Sequence, residues 1–341
     1  MLLIPKYRLT FPKSRFSLQS CSSTYQGARL ARDTTFHFRY NIVAVGILPK
    51  TYMPILRTAS VQDLKRLLEL YPVSSLRERW SGIAGTKDEL CLEVAGKRNL
   101  KDIAEFVNDY LSCCKQHIYV YSHRLRLNSL PTVGIPDGEL LDTKSEPERV
   151  HLLYLIRVGF KIIVRDPPEE ATVEFLLPVR LDVTREHLIV RIVVLEKDIG
   201  SYVDGRGYNT IGRSIDENGI LLAVERAFGG ALVTTDLHKG VKKLWHDDFM
   251  DATRAQYKKP KSTDATIMDK SKGIKKTDSE LYALLRTLTL FKTLFEVTAT
   301  NESSVSAFSV DPGNGYIGFP RYSDNRGDTD HVVDEILKHN R

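Results

Sequence analysis

Val173-Glu174-Phe175-Leu176-Leu177-Pro178-Val179-Arg180-Leu181-Asp182-Val183 carries an apolar residue at every odd position. A period of two is that of a strand with one buried face. Thr184-Arg185-Glu186-His187 interrupts, and Leu188-Ile189-Val190-Arg191-Ile192-Val193-Val194-Leu195 runs back almost entirely β-branched or Leu. Two such runs across a short polar break predict an antiparallel hairpin, its second strand the more deeply buried. Pro178 has no amide to give to a ladder, so the first strand is expected at a sheet edge or with a bulge there.

Working outward, His117–Ser122 and Leu152–Val164 read as further strands, so residues 117–198 are expected to form one mainly antiparallel sheet. Residues 128–150, with Pro131, Pro136 and several acids, read as a loop or linker. On the N-terminal side, Val61, Leu64, Leu67 and Leu68 share a helix face behind a Ser60 cap. Leu100, Ile103, Phe106, Val107, Tyr110 and Leu111 share a longer one, and residues 56–114 read as a small helical domain. On the C-terminal side two helices are expected. Ile220, Leu221, Val224 and Phe228 mark the first. The second is capped by Asp236 and buries Leu237, Val241, Leu244, Trp245 and Phe249, with Ala252 as the furthest residue of that face. Gly240 costs that second helix about 1 kcal/mol relative to Ala. Leu281, Leu284, Leu285 and Leu288 mark another helix, expected to reach as far as Phe295. Strands Val305–Val310 and Tyr316–Phe319, a glycine-rich turn and a helix capped by Asp328 make a closing β-β-α unit. The fold class expected is α+β: a small helical domain, then residues 117–341 as an antiparallel sheet with packed helices.

The formal charge is +6, from 49 Lys/Arg and 43 Asp/Glu. Residues 1–52 hold eight basic residues and one acid, so residues 53–341 hold 41 against 42 and are close to neutral. Residues 1–52 lack periodicity and read as a basic arm, a targeting segment, or an extension upstream of a start at Met53. Cys21, Cys91, Cys113 and Cys114 show no CxxC spacing, which fits a reducing intracellular compartment, cytoplasmic or nucleoid/nuclear. No apolar run is long enough to span a bilayer, and no membrane partner is expected.

Anion-binding features must therefore be local. Gly82-Ile83-Ala84-Gly85-Thr86-Lys87-Asp88-Glu89-Leu90 holds a capping box, Thr86 with Glu89. Gly85 permits close approach, helix N-terminal amides attract anions, and Lys87 adds charge; the plain alternative is a capped bundle helix. A loop from Gly200 to Arg213 offers Arg206 and Arg213 beside Tyr202 and Tyr208, suited to gripping a backbone. Lys239, Lys242 and Lys243 line the outer face of the second helix. The segment 258–276 holds Lys258, Lys259, Lys261, Lys270, Lys272, Lys275 and Lys276 against Asp264 and Asp269, and reads as a flexible polybasic loop. Such a loop neutralises phosphates without sequence preference.

Val61-Gln62-Asp63-Leu64-Lys65-Arg66-Leu67-Leu68, followed by Gly82 to Leu90, resembles the SAP-type two-helix DNA-binding module over about 36 residues (61–96). With Pro72, Leu76 and Trp80 the same stretch is also similar to the pyrin-like helical head of a centromere-binding kinetochore family. The first likeness implies that the Gly85-Thr86-Lys87 turn meets DNA phosphates.

No HExxH, GxSxG, Walker A or paired CxxC is present. The expected function is non-enzymatic nucleic-acid binding, DNA before RNA, with no cofactor and no metal. One alternative is a divalent-metal nuclease built on acids such as Asp182, Glu196 and Asp247. Another is a protein-interaction adaptor, with a protein partner or a second copy of the chain bound instead.

Overall fold

A computed structural model describes Ile55, Leu56, Cys91, residues 94–96 and most of residues 98–341. Within 98–341, the stretches 128–129, 132, 136, 195–207, 211–214, 259–263, 269–272, 299–304 and 324–326 lie outside the described residues. The first 54 residues, and hence the basic arm, lie outside them too, as do Gly85, Thr86, Lys87, Glu196, Arg206, Arg213, Lys259, Lys261, Lys270 and Lys272.

The quoted hairpin is the centre of the sheet. Strand β4 (Glu169–Thr184) pairs along its whole length with β3 (Arg149–Val164), from Arg149↔Thr184 to Val164↔Glu169. On its other side it pairs with β5 (His187–Val193), from Val179↔Ile192 to Val183↔Leu188. Thr184 makes the return: its Oγ1 accepts the His187 amide at 3.0 Å and donates to the His187 carbonyl at 3.1 Å. Pro178 does not put β4 at an edge, because β4 has neighbours on both sides. The β5 ladder stops at Val179, one residue short of the proline that has no amide to offer.

The remaining strands are β1 (Gln116–Ser122), β2 (Gly138–Ser145), β6 (Tyr208–Thr210), β7 (Val233–Thr234), β8 (Met250–Lys258), β9 (Asp264–Met268), β10 (Thr293–Val297), β11 (Ala307–Asp311) and β12 (Tyr316–Phe319). The order is β2-β3-β4-β5-β1-β12-β11-β10-β8-β9, with β6 attached to β3 and β7 to β1. The fold is α+β, and every strand pairing among the described residues is antiparallel. Among the described residues the accompanying helices with both ends placed are α1 (Leu100–Tyr110), α2 (Glu217–Ala227), α3 (His238–His246), α4 (Ile274–Thr277), α5 (Ser279–Thr287) and α6 (Asp328–Asn340).

Directly opposed residues in antiparallel strands point to the same side, so register defines two faces. One face carries Leu153, Arg180, Arg191, Ile118, Ile317 and Val310 in a single row. Over its C-terminal half lie α3 with Leu237, Val241, Leu244 and Trp245, and α6 with Val332, Val333 and Ile336, in one core. The opposite face carries the row Tyr154, Val179, Ile192, His117, Gly318, Ser309, Leu294 and Arg254. Ile220, Val224 and Phe228 of α2 share a core with its β4–β5 residues. The described helical residues Val94, Ile103, Val107 and Leu111 belong to this second core as well.

Gly240 is explained by helix crossing. A Cβ there would collide with the Ile336 carbonyl of α6, and the Gly240 amide donates to Asn340 Oδ1 at 2.9 Å. Close approach of the two backbones offsets the helix-propensity cost.

Several expectations are corrected. Residues 138–145 are strand β2, not linker. The helix α3 ends at His246, and Phe249 and Ala252 belong to the turn and to β8, because Asp247 and Asp248 (φ 60°) break the helix. The 258–276 segment is no continuous loop: it contains β9 and leads into α4. Helix α5 stops at Thr287, and Phe295 sits on β10. The helix α6 is led by Gly327 in a left-handed conformation (φ 81°), while Asp328 is its first residue and accepts the Ser323 hydroxyl.

Candidate functional site

Among the described acids named for metal chemistry, Asp182 is wholly buried and saturated. Its Oδ1 lies 2.7 Å from His151 Nδ1 and 2.7 Å from Arg180 Nε. Its Oδ2 accepts from Arg191 Nε at 2.6 Å and Arg180 Nη2 at 3.2 Å. Arg191 Nη2 continues to Asp330 of α6 at 2.6 Å, so the network fastens that helix to the sheet. Burial by itself pushes the Asp182 carboxyl up, but Arg180, Arg191 and His151 outweigh it and hold it well below the usual carboxylate range. A divalent cation would have to displace two guanidinium groups from a site that already balances charge. Asp247 sits elsewhere, at the C-terminal end of α3, paired with Lys243 at 2.9 Å. The two acids share no partner, and among the described residues no group of three or more His, Cys, Asp or Glu is placed to hold a metal ion.

The predicted lysines divide into two kinds. Lys239 donates to the Arg341 carbonyl, and Lys242 to the Leu288 carbonyl at 2.7 Å. Burial pulls the Lys242 ammonium below its ordinary value. Lys275 reaches the carbonyls of Trp245 (3.2 Å) and His246 (2.7 Å) and the Asp248 carboxylate (2.6 Å), closing the C-terminus of α3. Beside it, buried Asp251 accepts Trp245 Nε1 at 2.9 Å and the Lys275 amide at 3.0 Å. These lysines are structural ties. Lys258 and Lys276 are exposed, and neither has a carboxylate partner among the described residues. Lys258 stands opposite Asp264 in the β8–β9 register.

The stretch of sequence that contains β8 and β9 is nevertheless basic. Residues 238–292, spanning α3, β8, β9, α4 and α5, hold thirteen Lys/Arg against seven Asp/Glu, a surplus equal to that of the whole chain. Arg254 and Lys258 of β8 alternate with buried Ala255 and Tyr257, so both lie on the face away from α3 and α6.

On that same face, where α2 begins, lies a cluster that the sequence reading missed. Glu217 in the first turn of α2 accepts the Tyr119 hydroxyl at 2.8 Å and His117 Nδ1 at 3.0 Å. Burial raises the Glu217 carboxyl, and the bonds from His117 and Tyr119 outweigh it and hold it low. Burial, then the Glu217 carboxylate, raise the Tyr119 phenol strongly. Tyr316, opposite Tyr119 in register, packs its ring 5.4 Å from that of Tyr119 and 5.5 Å from that of His117. A Cβ on Gly318 would strike the Tyr316 hydroxyl, so the ring lies along β12 over a residue with no side chain. The signal in the sequence was the alternation His117-x-Tyr119 and Tyr316-x-Gly318, which becomes a site only once β1 and β12 are known to be neighbours.

A scan against known family models found no match, and comparison with curated proteins and with solved structures returned no similar chain.

Proposed function

We propose that this protein binds nucleic acid, DNA in the first instance, through phosphate contacts at the β8–β9 end of its sheet. The observation that carries this reading is the charge surplus of residues 238–292, a net of six positive charges in one stretch of sequence, while the rest of the chain holds 36 basic and 36 acidic residues. Arg254, Lys258 and Lys276 supply it from exposed positions, and Lys259, Lys261, Lys270 and Lys272 belong to the same stretch. The Gly85-Thr86-Lys87 turn and Arg206 and Arg213 are assigned a second set of phosphate contacts on the SAP-like resemblance and the composition of their loops. No chemistry is assigned, since the described acids named for it, Asp182 and Asp247, are engaged by Arg and Lys partners. Lysines that neutralise phosphates release counterions, so affinity falls steeply with salt and is indifferent to sequence.

The experiment is fluorescence anisotropy of labelled DNA with the full chain at low and physiological salt, with and without Mg²⁺. Binding that is lost with salt and unaffected by Mg²⁺ supports the reading. Cleavage that appears only with Mg²⁺ replaces it with the nuclease, and absence of binding at low salt removes it.

A further inference from the structure

The sheet face between His117 and Arg254 offers chemistry beyond phosphate neutralisation. Its central row is His117, Gly318, Ser309, Leu294 and Arg254, one residue from each of five adjacent strands. The buried residues of α3, α4, α5 and α6 lie in the core on the other side. Between the two ends stand Gly318, Ser309 and the half-buried Leu294, and at the β1 end they give way to three half-buried rings, His117, Tyr119 and Tyr316.

These rings are fixed in place. Glu217 holds His117 and Tyr119 together, Tyr316 packs edge-on to His117 and tilted against Tyr119, and the missing side chain of Gly318 lets the Tyr316 ring lie against the strand. An aromatic ring laid along a sheet, with a polar rim of carboxylate and hydroxyl, suits a flat heteroaromatic group that stacks and donates from its edge. Nucleic-acid bases have that chemistry, and only unpaired bases offer a free face. Four strand spacings of about 4.8 Å separate His117 from Arg254, so the row spans about 19 Å. Positive charge waits at the far end of the same face in Arg254 and Lys258.

We infer that this sheet face takes single-stranded nucleic acid, with a base stacked on Tyr316 beside His117 and Tyr119 and the backbone running across the strands toward Arg254 and Lys258. This rests on the nucleic-acid reading above and narrows it to unpaired strands.

The test compares a labelled thymidine dodecamer with its matched duplex on the full chain, together with photocrosslinking of a 4-thiothymidine version. The single strand is expected to bind more tightly than the duplex. Tyr316→Ala is expected to weaken the single strand about tenfold with an unchanged salt slope, while Tyr316→Phe, which keeps the ring, binds as the unaltered chain does. Crosslinks on the unaltered chain are expected at His117, Tyr119 or Tyr316, a readout that no folding defect of a variant can mimic. Equal affinity for duplex and single strand, with crosslinks only within 258–276, would overturn the stacking site and leave phosphate binding standing. No binding of either probe at low salt would overturn both.

Discussion

Arg191 and Asp182 meet at 2.6 Å in the middle of the sheet, both wholly excluded from solvent. Each continues to a second partner, Arg191 to Asp330 on α6 and Asp182 to His151 on β3. A residue that looks in sequence like a candidate metal ligand is thus the keystone between β3, β4, β5 and the C-terminal helix. Asp182→Ala leaves two buried guanidinium groups with only the Asp330 carboxylate between them, and the expected loss is about 3–5 kcal/mol of stability, read by urea denaturation. A loss under about 1 kcal/mol, the scale of an exposed pair, would contradict the role.

The same pair sets an acid limit. The folded Asp182 carboxyl lies well below its unfolded value. Its contribution is therefore complete above the unfolded pKa of about 3.9 and is lost as pH falls toward the folded value. Stability of the unaltered chain is expected to drop with a steeper slope below about pH 4 than that of Asp182→Asn. Parallel slopes would show that other carboxyls carry the acid limb.

Gly240 gives a prediction in which two effects oppose each other. Replacing Gly by Ala inside a helix ordinarily gains about 1 kcal/mol. Here the added methyl meets the Ile336 carbonyl, with Asn340 close by, and forced overpacking costs about 1–3 kcal/mol. Gly240→Ala is expected to lower the melting temperature, and a rise would show that α3 and α6 separate freely.

Lys275 and Lys276 are adjacent and predicted to behave oppositely. Lys275 closes α3 through two carbonyls and Asp248, so Lys275→Gln is expected to cost about 1–3 kcal/mol of stability. Lys276→Gln is expected to leave the melting temperature unchanged and weaken DNA binding. Equal effects on stability would refute this division.

Much of the sheet was legible because burial leaves a period. The β4–β5 hairpin, β3 and the β11–β12 pair alternate or run apolar as strands must, and the faces of α2, α3 and α6 follow helical spacing. What was missed has weak local pattern. Met250–Lys258 bears a bulge against β10 and mixes Asp251 and Thr253 into its buried positions, so its alternation is broken. The Asp264–Met268 strand lies at the sheet edge within a lysine-rich stretch, where charge suggested a loop. Apart from Arg180 beside Asp182, the roles of Asp182, Lys242 and Lys275 depend on partners such as Arg191, Leu288 and Asp248, between 9 and 46 residues away in sequence. Spacing along the chain carries no trace of such partners. The Glu217–His117–Tyr119–Tyr316 cluster joins three elements and was invisible for the same reason.

The central claim is that the basic end of the sheet meets phosphates. Its most direct test is the slope of log affinity against log salt for the full chain with a labelled single strand, compared with Arg254→Gln, Lys258→Gln and Lys276→Gln combined. Each lost phosphate contact should flatten the slope by about 0.7 on a single strand, so the triple variant is predicted to be about two units shallower. A slope identical to that of the unaltered chain, or no binding by either protein at low salt, would contradict the account.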